Sequence, residues 1–189
     1  MEAFVSDISE RAAVARRKWK SDKARVTLLS AFATHNQQLS GEWCDLEETA
    51  ELSQGAARLG GSSSRLIQRW PEERSFIETA SSCMAIVTGV EHIYVLVMDI
   101  SSAPWVRVEF DLIASELLPA VEWLSDGFIA FDPILDSLIS VDVEGDGGAR
   151  VVETTIIGDG FSSIRSCFEE LGPPALHIVE REVRHPNGE

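Results

Sequence analysis

Apolar residues recur at Phe4, Ile8, Ala12, Ala15 and Trp19, spacings of three and four that lay one buried stripe along a helix. Asp7 and Glu10 stand at capping-box spacing near its start. Val26, Leu29, Phe32 and Ala33 continue the stripe, either in the same helix or after a break near Ser21-Asp22. Glu42–Leu59 offers a second, more polar helix. Gly60-Gly61-Ser62-Ser63-Ser64 interrupts the pattern and reads as a connecting loop, with a hinge or lid as the alternative. A short helical stretch is expected around Arg65–Trp70. It ends at Pro71, and Pro71-Glu72-Glu73 suits the first turn of another helix, where no N–H is needed and acids meet the positive dipole end.

From Met84 the period changes to two. Met84–Thr88, Ile93–Ile100 and Trp105–Phe110 are β-branched or aromatic runs separated by turn-forming residues. Ile93–Ile100 is apolar on both faces, as a central strand requires. Trp105–Phe110 alternates, with Val106, Val108 and Phe110 on one face and Trp105, Arg107 and Glu109 on the other. An amphipathic helix follows within Asp111–Leu124, and Pro119 sets its regular part to begin near Ser115. Phe128–Phe131, Ser137–Val143 and Ala149–Ile157 read as three further strands, joined at Asp132-Pro133 and at the acidic, glycine-rich tip Glu144–Gly148. Ile164, Cys167, Phe168 and Leu171 then mark a last helix, closed by Gly172 and Pro173-Pro174. Leu176–Val183 has the character of an edge strand, and 185–189 of a frayed tail.

These elements predict a single α+β domain over 1–189: a helical part (1–80), then a sheet-containing part (84–183), a mainly antiparallel meander with two packed helices. A chain of 189 residues is long enough for one substantial core. The longest apolar run, Ile93–Met98, is strand-sized, so no membrane span is expected. The N-terminus shows no basic region followed by an apolar run, and the three widely spaced cysteines, Cys44, Cys83 and Cys167, read best as reduced thiols. A cytoplasmic location is the simplest expectation.

Charge changes the picture more than composition does. The net charge is −15, and it is unevenly spread. Residues 1–25 carry seven basic and four acidic residues; Glu91–Gly160 carries fourteen acidic residues against Arg107 and Arg150. Such a tract repels nucleic acid and attracts cationic partners. Its acids Glu109, Asp111, Glu116, Glu122, Asp126, Asp132, Asp136, Asp142, Glu144 and Asp146 fall on strand ends, turns and the Ser115–Leu124 helix, interleaved with Trp105 and Trp123 as potential aromatic anchors. These twelve residues are the candidate partner-binding set. A merely soluble acidic surface is the plainer alternative.

No arrangement points to catalysis. The four histidines lack metal-ligand spacing, no serine sits in a nucleophile elbow, and Gly158-Asp-Gly160 is too short and acidic to cradle phosphate. Asp142 through Glu153 matches the oxygen positions of an EF-hand loop, but its flanks are β-branched where helices are required, so a solvated hairpin turn is expected. No metal, cofactor or catalytic residue is assigned, and a non-enzyme is expected.

Ile93-Tyr-Val-Leu-Val-Met-Asp99, Trp105-Val-Arg-Val-Glu109, the helix Leu117–Leu124, Phe128-Ile-Ala-Phe-Asp132 and Leu138-Ile-Ser-Val-Asp142 together resemble small bacterial immunity proteins, cytoplasmic antidotes to polymorphic or contact-dependent toxins. The likeness covers about residues 90–160 and lies in the order of elements rather than in a diagnostic motif. It implies a non-enzymatic α+β inhibitor that covers its toxin's active site or a nearby surface. The expected partner is a cognate cationic toxin domain, with neither nucleic acid nor membrane engaged, and the chain acts as a monomer or small homo-oligomer. The alternative is a non-catalytic adaptor or accessory subunit that binds another basic protein.

Overall fold

The computed structural model describes residues 2–60, 65–87, 89–145 and 150–175, with the backbone alone for 2–9. A helix α1 (Glu2–Thr34) leads into a two-residue strand β1 (Glu42–Trp43), helix α2 (Leu46–Gly60), strand β2 (Arg65–Trp70) and helix α3 (Glu73–Met84). Strands β3 (His92–Val97) and β4 (Val106–Glu109) follow. A π-helical turn, Ile113–Leu117, then runs into the short helix α4 (Leu118–Ala120). Strands β5 (Gly127–Asp132), β6 (Ser137–Glu144) and β7 (Val151–Ile157) precede the last helix, α5 (Ser162–Leu171). The fold is α+β, as the periodicity predicts.

Among the described residues seven strands form one antiparallel sheet in the order β1-β4-β3-β5-β6-β7-β2. The period-two stretches account for its centre. Ile93, Val95 and Val97 point into the main core with Val106, Val108, Phe128, Ala130, Ile139, Val141, Val152 and Ile156. On that face pack α3, α5, the π turn with α4, and the C-terminal third of α1. The opposite face is only partly covered, by α2, whose Leu52 and Ala56 sit on Trp105, Phe131, Leu138 and Ile157.

Both edges of the sheet come from residues 1–80, the part of the chain expected to be helical. Arg65–Trp70 is a strand: Leu66, Gln68 and Trp70 are buried, and Arg65 and Arg69 are exposed, a period of two. Six residues are too few to separate the two periods, and the register with β7 settles the matter. Glu42 and Trp43 pair with Arg107 and Val106, so the second helix begins only at Leu46. Its N-cap is Asp45, whose Oδ1 accepts the N–H groups of Glu47 and Glu48 at 2.9 Å. Met84–Val87 is not a strand: α3 extends through Met84 and turns, and Thr88 lies outside the described residues.

α1 has no break at Ser21-Asp22, and because it already runs from Glu2, Asp7 is not its cap. The buried stripe also differs from the expected one. Of that stripe Phe32 and the half-buried Leu29 do reach the core, joined by Ala24 and Leu28, while Ala12, Ala15, Trp19, Val26 and Ala33 are exposed and the side chains of Phe4 and Ile8 lie outside the described ones. Two apolar stripes run along this helix, and the domain covers the other one. Pro119 has no N–H to give, and the ladder before it is wound in π fashion: Leu118 N–H reaches Ile113 O, five residues back.

The cysteines also depart from expectation. Cys83 of α3 and Cys167 of α5 are joined as a disulfide with a Cα–Cα distance of 5.5 Å; Cys44 alone is a thiol, and it is buried. Among the described residues no helix is long and apolar enough to cross a membrane. The predicted edge strand Leu176–Val183, the tail, most of the Gly60–Ser64 loop and Asp146 lie outside the described residues.

Candidate functional site

Strand direction decides where the acids go. Glu91 precedes β3, Glu109 ends β4, Asp132 ends β5 and Asp136 precedes β6, which places all four at one end of the sheet. Asp126 precedes β5, while Asp142 and Glu144 end β6, at the opposite end. The two groups are separated by the length of β5, roughly 17 Å. The acidic tract therefore splits into two clusters.

The cluster around Asp142 is largely absorbed by structure. Glu144 pairs with Arg69 at 3.2 Å. Ser140 donates to Asp142 Oδ2 at 2.9 Å, and burial of this carboxyl raises its pKa. Asp142 faces Glu153 across β6 and β7, an antiparallel ladder and not the flank of an EF-hand. Glu122 is exposed, but its carbonyl, with those of Val121 and Leu124, receives the Arg150 guanidinium, which also pairs with Glu73 at 2.8 Å.

Three further candidates hold the fold together. Trp105 is 1% exposed beneath α2, so it is not a surface anchor. Trp123 stacks on His35 with centroids 4.5 Å apart, and its Nε1 donates to Gln37 Oε1 at 2.6 Å. Glu116 accepts the Gln38 N–H at 2.8 Å, so both residues fasten the π turn and α4 to the end of α1. Asp132 is also mostly buried; its Oδ1 caps the turn by accepting the N–H groups of Ile134 and Leu135 at 2.8 and 3.0 Å.

What is left is a cleft of about 560 Å³ at the other end of the sheet, between the β1–α2 junction and the turns before β3 and after β5. Its floor is the cross-strand row Glu42, Arg107 and Tyr94, set by the pairing of β1 with β4 and of β4 with β3. Glu42, Glu48, Glu91 and Asp132 line it against a single guanidinium, Arg107, which lies 3.8 Å from Glu42. Glu109 and Asp111 border the adjoining hollow with Glu91 and His92. On the rim the turn after β5 presents Ile134, 92% exposed, and Leu135, 40% exposed.

The Asp45 cap holds Glu48 in the first turn of α2, which sets its carboxylate beside the Cys44 thiol and the Tyr94 hydroxyl. Burial, with the negative charge and hydrogen bonding of Glu48, pushes the Cys44 thiol up to about 12 and raises the Tyr94 phenol too. A thiol held that high is a weak nucleophile at neutral pH. The cleft presents carboxylate acceptors beside exposed apolar side chains, an arrangement suited to a cationic, partly apolar ligand.

Of the predicted residues, Asp132 lines this cleft, and Glu109 and Asp111 border the adjoining hollow. The residues missed are Glu42, Cys44, Glu48, Glu91, Tyr94, Arg107, Ile134 and Leu135. Ile134-Leu135 carried a readable signal, two large apolar residues directly after an Asp-Pro turn. Comparison with family models, with curated proteins and with solved structures finds no match to this chain.

Proposed function

We propose that the chain is an immunity-type inhibitor that captures a cationic bacterial toxin domain in the acid-lined cleft. One observation carries the reading: four carboxylates face one guanidinium in a concave site whose rim exposes Ile134 and Leu135. Charges of this kind steer a basic partner to the surface, and the apolar rim supplies area that is desolvated on contact. The protein acts by covering its partner, not by chemistry on it. The cytoplasmic location belongs to the antidote reading alone, because the Cys83–Cys167 disulfide removes the reduced-thiol reason for it. A non-catalytic adaptor for another basic protein would use the same cleft.

The test compares the wild-type chain with a Glu91→Lys, Glu109→Lys variant, both positions being exposed. A basic protein domain should be retained by the wild type, lose its own activity at a one-to-one ratio, and be released by salt. The variant should bind it at least roughly tenfold more weakly, mainly through slower association. Equal binding by both chains overturns the reading.

A further inference from the structure

Among the described residues the outward face of α1 is exposed. From Glu10 to Lys23, about 20 Å of helix, every described side chain is exposed except the half-buried Ser21. Ala12, Ala15, Trp19 and Val26 share a stripe that, at about 100° per residue, lies roughly opposite the one formed by Ala24, Leu28 and Phe32. Trp19 is 62% exposed and Val26 66% exposed. Flanking them are Arg16, Arg17, Lys18, Lys20, Lys23 and Arg25 against Asp22 alone, a local net of +5. Since the whole chain is −15, everything outside this segment carries −20. Helical stability in proteins comes mostly from packing an amphipathic face, and the Ala12, Ala15 and Trp19 side of this stretch stays exposed among the described residues.

Charge selects the occupant. Pairing two α1 helices would set +5 against +5. A nucleic acid or an anionic bilayer would meet Asp45 and Glu47, which border the same hollow as Lys18 and Arg25. The complementary surface is the acidic cleft of this chain. Cys44 and the β1–α2 junction lie between the two features, lining both the cleft and the hollow beside α1. A two-fold contact therefore lets each copy give its helix and receive its partner's in one closed interface.

We propose that the outward face of α1 docks in the acidic cleft of a second copy, making a reciprocal dimer in which Trp19 meets the Ile134–Leu135 rim. The acceptor half of this inference rests on the cleft reading above; the donor half rests on α1 alone. A cationic partner would then compete with the second copy for the cleft.

Sedimentation velocity at low and high salt tests it with two variants: Lys18→Glu, Trp19→Ala, Lys20→Glu on the helix, and Glu91→Lys, Glu109→Lys at the cleft. The expected result is a wild-type dimer that salt dissociates, and a dimer constant weakened at least roughly tenfold in each variant alone. Mixing the two variants should recover association, because the intact helix of the cleft variant then meets the intact cleft of the helix variant. Circular dichroism matching the wild type confirms that both variants fold. A wild type that is monomeric throughout, a dimer indifferent to the helix variant, or a mixture that stays monomeric overturns the proposal. So does Trp19-dependent binding to DNA or to phosphatidylserine vesicles without dimerisation. The helix variant keeps its cleft intact, so its capture of a basic partner reports on the cleft reading separately from the dimer.

Discussion

The indole Nε1 of Trp105 donates to Ser53 Oγ at 3.0 Å, which fastens α2 across the second face of the sheet. Trp105 also meets Phe131 edge-on, with ring centroids 6.1 Å apart, in the smaller of the two cores. This pair is why the second face of the sheet is half closed, and why the acid-lined cleft has a wall.

Trp105→Ala should therefore cost stability before it costs binding. Emptying a fully buried tryptophan site removes about 3–5 kcal/mol. Trp105→Phe keeps most of the apolar area and loses the bond to Ser53, a smaller loss of about 1–2 kcal/mol. Urea unfolding of the two variants should rank them in that order. Equal stability of wild type and Trp105→Ala would mean that α2 does not depend on this anchor.

The disulfide closes a loop of 84 residues between α3 and α5. Constraining the unfolded chain over that span contributes about 4–5 kcal/mol in the chain-entropy account. Thermal unfolding with and without reductant should differ strongly in the wild type and not at all in Cys83→Ala, Cys167→Ala. A wild-type melt that ignores reductant would show that the cross-link is not formed.

The centre of the sheet was readable because each of its strands carries its own evidence. Val106, Val108 and Phe110 alternate within one run, and Ile93–Val97 is apolar on both sides. The edges were not, because β1 has two residues and β2 only six; what makes them strands is the far-off β4 and β7. The cleft was unreadable for the same reason. Glu48 is separated from Tyr94 by 46 positions along the chain, and only the fold sets its carboxylate against that hydroxyl. Counting charges found the acids, but strand direction divided them between two ends, a property of topology and not of composition. The α1 stripe misled in a different way: periodicity reports that a helix has an apolar face, and not whether its own domain covers that face.

Asp99 tests how much of the acidic tract is structural. Its carboxylate accepts three consecutive backbone N–H groups, those of Ser125, Asp126 and Gly127, at 2.6, 2.9 and 3.2 Å. These bonds set the entry to β5, where Gly127 has φ +98° and an added Cβ would overlap the Val141 carbonyl. Asp99→Ala should cost about 2–3 kcal/mol, since charged hydrogen bonds are lost together. Gly127→Ala should be at least as damaging. Chemical unfolding measures both, and Asp99→Asn, which keeps one acceptor, should fall between Asp99→Ala and the wild type.

Cys44 gives the fold an alkaline weakness with a defined sign. The thiol titrates near 9.0 when unfolded and is pushed up to about 12 in the fold, by burial first and then by Glu48. Between those two values the folded chain holds a proton that the unfolded chain has released. Stability therefore falls as pH rises through the window, by up to about 1.4 kcal/mol per pH unit. Cys44→Ser removes this titration while keeping a donor for Glu48, so its stability should fall less steeply above pH 9.0 than that of the wild type. Glu48→Gln acts on the cause: without the carboxylate the thiol pKa drops, and thiolate absorbance in the folded protein should appear at lower pH. Tyr94, raised by the same burial and the same carboxylate, should shift downward with it. Parallel stability profiles for wild type and Cys44→Ser, together with an unmoved thiolate transition in Glu48→Gln, would show that Glu48 does not govern the two groups at the floor of the cleft.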